Sequence, residues 1–154
     1  MPTRRAKLFP TPDDAENAFY EAFERRDLPA MMAVWEESDD VVCVHPRGAR
    51  LTGFDMVRES WAAIFANGDG AMRVRPTEVR RFDGNNVAVH TLVELLSAPG
   101  THGPPASVCA TNVYELTDGG WRMVLHHATA LQEVEPERTR AKEEETPPPT
   151  RTLH

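Results

Sequence analysis

Apolar residues recur at helical spacing in three segments of the first half of the chain. Ala15, Ala18, Phe19, Ala22 and Phe23 return every three or four positions, which predicts a helix with one apolar face to about Arg26. Thr11, Pro12, Asp13 and Asp14 mark its start: a capping hydroxyl, a proline where a missing N–H costs little, and acids beside the positive helix end. A shorter helix fits Pro29 to Glu36. A third fits Phe54 to Ala66, with Val57, Trp61, Ile64 and Phe65 on one side and Asn67-Gly68 as its stop signal.

From Met72 the period falls to two. "RVRPTEVRRF" reaches the turn "DGNN", "VAVHTLVELL" follows, and the pair reads as a hairpin. After an exposed Gly- and Pro-rich loop, "SVCATNVYEL" and "WRMVLHHATAL" flank "DGG" as a second hairpin. Helices first and an antiparallel sheet afterwards is an α+β order, with the helices packed on one sheet face. Simple alternation in the last strand puts Trp121, Met123, Leu125, His127 and Thr129 on one side, and Arg122, Val124, His126 and Ala128 on the other. Large apolar groups on both sides imply that both faces are covered. A second copy of the sheet would cover the outer one, so a homodimer with an isologous contact is expected.

Composition narrows the function classes. A chain of 154 residues with 40% hydrophobic and 27% charged positions suits one globular domain with some length left over. From residue 133, "EVEPERTRAKEEETPPPTRTLH" has too few large apolar residues to offset its ordering entropy, and is expected to be a mostly disordered tail. The expected organisation is therefore a loose segment over 1–11, a folded domain over 12–132 and the tail over 133–154. A net charge of −7 argues against a nucleic-acid partner, which needs a basic face. No apolar run is long enough for a membrane span. With no apolar segment behind the N-terminal basic residues and only Cys43 and Cys109 as thiols, a cytoplasmic location is expected.

The candidate chemistry starts at "WEESDDVVCVHP", where a short apolar strand ends on His45 before Pro46. An imidazole there is either a satisfied strand-end group or a base suited to neutral pH. His126 and His127 are strand neighbours and project to opposite faces, so they cannot grip one metal together; no metal site is expected. No P-loop, GxGxxG, HExxH or GxSxG occurs, so no nucleotide or metal cofactor is expected. Asn112 stands in a strand, where asparagine is disfavoured, and offers an amide donor to backbone or to ligand. Phe19, Phe23, Trp35, Trp61 and Tyr114 are core residues that also suit an apolar pocket wall. His90 and His102 read as incidental.

The stretch "FERRDLPAMMAVWEESDDVVCVHPRGARLTGFDMVRESWAAIF" and the later "ATNVYELTDGGWRMVLHHAT" resemble the nuclear transport factor 2-like superfamily, in its SnoaL-like and ketosteroid-isomerase-like branch, over about Pro12 to Gln132. The resemblance implies a cone: a curved antiparallel sheet wrapped around three helices, a pocket at the wide end, and frequent dimers. It places His45 where the isomerases carry a catalytic aspartate before proline, and Asn112 at the protonated acid of the oxyanion hole, a carboxylic acid kept neutral so that it can donate a hydrogen bond. It matches Phe19 to the partner tyrosine and puts Trp35 and Trp61 on the pocket walls. It also turns His126 toward the cavity and sends the Trp121 set outward. Loss of the tyrosine hydroxyl makes ordinary steroid isomerisation an unsuitable reading. The expectation is a small-molecule pocket protein taking an apolar or oxygenated molecule, an isomerase, cyclase or dehydratase without cofactor, with His45 as base, Asn112 as donor and His126 as orienting group or acid. The alternative is a non-catalytic ligand-binding or association module.

Overall fold

In a computed structural model, residues 8–67, 72–100 and 102–132 are described; the expected tail and residues 1–7 lie outside them. Three helices come first: α1 (Pro12–Arg25), α2 (Leu28–Val34) and, after two short strands, α3 (Phe54–Ala66). Helix α1 opens with a full capping box. The Thr11 hydroxyl accepts from the Asp14 N–H at 3.1 Å, and the Asp14 carboxylate accepts from the Thr11 N–H at 3.2 Å. Helix α2 starts one residue before Pro29, because Asp27 caps the Ala30 N–H at 3.0 Å.

The strands are β1 (Val42–Val44), β2 (Arg50–Thr52), β3 (Arg73–Asp83), β4 (Val87–Ser97), β5 (Ala106–Thr117) and β6 (Gly120–Ala130), in the sheet order β2-β1-β6-β5-β4-β3. The short β2 has no clear signal in the sequence. Pairing is antiparallel except between β1 and β6, which run parallel. The result is an α+β fold: a curved, unclosed six-stranded sheet with the three helices on one face.

Which face each residue takes follows from burial and register. Ala88, His90, Leu92 and Glu94 of β4, and Val108, Ala110, Asn112 and Tyr114 of β5, are buried against the helices. Simple alternation fails in β6. Val113 pairs with Leu125 but Tyr114 pairs with Met123, so an irregularity at Val124 shifts the register by one residue. Trp121 and Met123 therefore face inward with Tyr114, and Leu125 faces outward. This corrects the expected outward set headed by Trp121, whose side chain is buried, as is that of Met123.

The start of the chain is tied down from residue 8. Leu8 N–H donates to the Gly119 carbonyl at 3.1 Å, Trp121 N–H donates to the Phe9 carbonyl at 3.0 Å, and Arg122 lies over the Phe9 ring. Gly120 makes this approach feasible. Its φ is +104°, and a Cβ there would sit 2.0 Å from the Leu8 carbonyl oxygen.

Candidate active site

Strand register lays a polar row across the inner face. Cys43, His126, Asn112 and His90 are successive cross-strand partners on β1, β6, β5 and β4. Helix α1 crosses above the row, placing Glu16 and Tyr20 over it one helical turn apart. Buried polar groups must be satisfied, and two hydrogen-bonded chains do this.

The first chain runs from Glu94 to His126. Tyr20 donates its hydroxyl proton to Glu94 Oε2 at 2.6 Å and accepts from Asn112 Nδ2 at 2.9 Å. That orientation of the amide turns Asn112 Oδ1 to His126 Nδ1, 2.6 Å away. Nδ1 therefore carries the proton and Nε2, across the ring, keeps a lone pair. Burial first, then the neighbouring His45 and His127, hold His126 down to about 3, so it is a neutral imidazole. Burial raises the Glu94 carboxyl to about 7, against the opposing hydrogen bond from Tyr20. Tyr20 itself is held well above its ordinary value, chiefly by burial.

The second chain surrounds His90, which is not incidental. Fully buried, it bridges Glu16 through Nδ1 and Asp83 through Nε2 at 2.8 Å, and Tyr114 donates to the same Glu16 oxygen at 3.1 Å. Tyr114 thus belongs to this chain and stacks edge-on against His90.

His45 stands just beyond the end of β1 and is only half-buried. The Ser60 hydroxyl on α3 donates to the Val57 carbonyl at 2.7 Å. It must therefore accept from His45 Nε2–H, 3.0 Å away, which leaves Nδ1 with the basic lone pair. Cys43 Sγ lies 3.5 Å from the same Nε2. Burial pushes that thiol up to about 12, so it is a neutral thiol at ordinary pH and no nucleophile. Burial also lowers the His45 pKa, keeping it neutral and basic near pH 7.

Trp61 joins these groups. Its ring meets His45 at 4.8 Å, Phe23 at 4.9 Å, Phe19 at 5.5 Å, Phe65 at 5.7 Å and His126 at 6.0 Å between centroids. His45 and His126 are 6.4 Å apart. Phe23 and Phe65 also line a cavity of about 300 Å³ with Arg26, Ile64, Asn67 and Met72. Trp61 itself is fully buried and touches both of these cavity-lining rings as well as the two imidazoles. Its indole N–H is buried without a hydrogen-bond partner, as is that of Trp35.

The structure thus brings His45, Trp61, Phe19, His126 and Asn112 together. Trp35 lies against β6, bridged to Met123, and makes no ring contact with this group among the described residues. Asn112 is fully buried, with its carbonyl and one amide proton used internally. Ser60, Tyr20, Glu94 and Glu16 were not singled out in the sequence. The hydroxyl that meets Asn112 is that of Tyr20, the residue after Phe19, and its proton is donated to Glu94. Among the described residues no three His, Cys, Asp or Glu side chains are arranged to hold a metal, and no helix is long and apolar enough to cross a membrane.

Comparison with known proteins agrees with this architecture. A curated relative, the F-box protein SKIP8 of Arabidopsis thaliana, is 32% identical over 113 residues, covering 73% of this chain. The chain spans only 46% of that relative's length. A solved structure from Thiobacillus denitrificans, described as a candidate calcium/calmodulin-dependent protein kinase type II association domain, is 42% identical. It superposes with a TM-score of 0.76 over 81% of this chain and 98% of its own. A candidate dehydratase of the NTF2-like family from Streptomyces avermitilis is 32% identical, with a TM-score of 0.70 over 80% of this chain and 100% of its own. The model of the SnoaL-like domain matches residues 13–132. With nearly the whole folded part covered, the chain belongs to the SnoaL-like family, within the nuclear transport factor 2-like superfamily.

Proposed function

We propose that the chain binds a small, largely apolar molecule bearing an oxygen against Trp61, and that His45 moves a proton on it without a cofactor. The observation that carries this reading is the ring contact between a half-buried imidazole and an indole whose N–H has no partner. His45 presents a neutral, half-exposed imidazole whose Nε2–H is spent on Ser60, and the adjoining Trp61 holds a buried N–H with no partner. An unsatisfied buried donor costs about 1–3 kcal/mol, which a ligand oxygen would recover. His45 Nδ1 takes a proton from the carbon next to the carbonyl carbon that bears that oxygen, leaving an enolate. The imidazolium then returns the proton at another carbon of the conjugated system, or gives it to a hydroxyl on the neighbouring carbon, whose C–O bond breaks to release water as a C=C bond forms. His126, held in one tautomer by Asn112, Tyr20 and Glu94, supplies a second fixed acceptor that orients the substrate. Isomerase, cyclase and dehydratase chemistry all use this step, and the similarity to the Streptomyces candidate dehydratase favours the last.

Proton abstraction is testable before the product is known. Small ketones and hydroxy acids are incubated with protein in D₂O, and loss of their carbon-bound protons is followed by ¹H NMR. The expected result is exchange with at least one compound, lost in His45→Ala and retained in His127→Ala. Equal exchange in wild type and His45→Ala would overturn the reading. A second reading, a non-catalytic association module, is favoured by the 42% identity to the kinase association-domain candidate. It predicts tight binding or assembly with no exchange for any compound.

A further inference from the structure

The buried chain Glu94–Tyr20–Asn112–His126 is built only from groups that serve in either direction. A carboxyl is anion or acid, and a phenol both donates and accepts. A carboxamide has nitrogen and oxygen ends of nearly equal size, and an imidazole carries its proton on either nitrogen. The links lie within hydrogen-bond distance at 2.6, 2.9 and 2.6 Å. The direction described above, with Tyr20 donating to Glu94 and Asn112 to Tyr20, is the one an ionised Glu94 requires. Once Glu94 gains a proton, Tyr20 is its acceptor among the described residues. The Tyr20 hydrogen must then turn to its other neighbour, Asn112, and only the carbonyl end of that amide accepts. A half-turn about the Asn112 Cβ–Cγ bond brings Oδ1 to Tyr20 and Nδ2 to His126 Nδ1, which becomes an acceptor. The imidazole then carries its proton on Nε2. One proton is taken up, at Glu94; His126 gives one to solvent from Nδ1 and gains one at Nε2.

We propose that this chain is a two-way relay, in which the proton on Glu94 selects the His126 tautomer that faces the site, and Glu94 and Tyr20 are positioning residues. The charges around it are few. The cross-strand partners of Glu94, Pro76 on β3 and Val108 on β5, are uncharged. On α1, Glu24 lies one turn beyond Tyr20 and accepts from the Val74 N–H at 3.2 Å. Tyr114 on β5 acts on Tyr20, and the Cys43 thiol on β1 feels the Glu94 charge. Burial, which penalises the anion, brings Glu94 to about 7. His126, beside His45 and His127, is held down to about 3 and stays neutral while Glu94 titrates, so its tautomer changes and its charge does not. With Glu94 ionised, Nε2 offers a lone pair that suits a hydroxyl. With Glu94 protonated, it offers an N–H that suits a carbonyl or enolate oxygen. The effect on a ligand rests on the proposed site; the relay itself does not.

The experiment is a set of long-range ¹H–¹⁵N spectra of the full chain, without ligand, from pH 5 to pH 9; these separate the two neutral tautomers from imidazolium. Wild-type His126 should pass from mainly Nε2–H at pH 5 to mainly Nδ1–H at pH 9. Its two ring ¹⁵N shifts should exchange places with a midpoint at about 7, where Glu94 titrates. Glu94→Gln, which keeps the shape but does not titrate, and Tyr20→Phe, which cuts the chain, should each hold one tautomer ratio throughout. A wild-type His126 with one tautomer over the whole range, or one that becomes imidazolium instead, would overturn the relay with no variant needed. A crossover like that of wild type in either variant would overturn it as well. Because no ligand is present, these outcomes are separate from the failure of carbon-proton exchange that would end the proposed function.

Discussion

Replacing Glu94 by glutamine should change how stability responds to pH more than how large it is at pH 7. Two buried titratable groups sit at opposite ends of one hydrogen-bonded chain, and their effects oppose each other. His126 is held at about 3 against an ordinary 6.5. Between those values the unfolded chain binds a proton that the folded chain refuses, so stability falls as pH falls. Glu94 is raised from 4.5 to about 7. Over that range the folded chain holds a proton that the unfolded chain has lost, so stability rises as pH falls. At about 1.4 kcal/mol per pH unit for one proton, going from pH 7 to pH 5 costs about 2 kcal/mol through His126 and returns about 2 kcal/mol through Glu94. The two nearly cancel in the native chain. Glu94→Gln keeps the acceptor for Tyr20 but removes the compensation, so its stability should drop by about 2 kcal/mol over that interval relative to wild type. His126→Asn should show the opposite tilt. Urea unfolding at pH 5, 6 and 7 for the three proteins measures this directly. Parallel pH profiles for wild type and both variants would refute the opposed-pair account.

Other outcomes follow from single contacts. Trp61→Ala should destabilise by about 3–5 kcal/mol in urea unfolding, since it empties the centre of the aromatic cluster, whereas Trp61→Phe should cost far less. Gly120→Ala should lower the thermal midpoint and release Leu8 and Phe9, read as faster amide exchange at Leu8, because its Cβ would collide with the Leu8 carbonyl. Cys43 should resist a thiol reagent at pH 8 until the chain unfolds, given a thiol pushed up to about 12. Rapid labelling of the native protein at Cys43 would contradict its burial.

The helices were legible because each carries its own start signal. Thr11, Asp13 and Asp14 act within one turn of their own segment, and the cap forms as their order implies. The long strands were legible from alternation, but β6 was not fully so, since the register shift at Val124 depends on pairing with β5. A one-residue shift reverses every side chain beyond it, which is why simple alternation puts Trp121 and Met123 on the wrong face. In the site, His45 stood out because it interrupts an apolar run. Glu94 and Tyr20 did not, because an acid in a strand and a tyrosine in a helix are ordinary until their partners are known. A local signal was present in β4, where Glu94 shares parity with Ala88, His90 and Leu92 and is therefore on the buried face. Ser60 could not be found that way: its contact with His45 joins α3 to the strand end across the fold.

The site reading stands or falls on whether an oxygen-bearing ligand reaches the indole of Trp61. With ¹⁵N-labelled protein and the same ketones and hydroxy acids, the account predicts a ligand-dependent shift of the Trp61 Nε1–H resonance and of the His45 ring. The equally buried and unpartnered Trp35 indole should stay still as an internal reference. Equal shifts at both indoles, or a saturable binder that moves neither Trp61 nor His45, would contradict it.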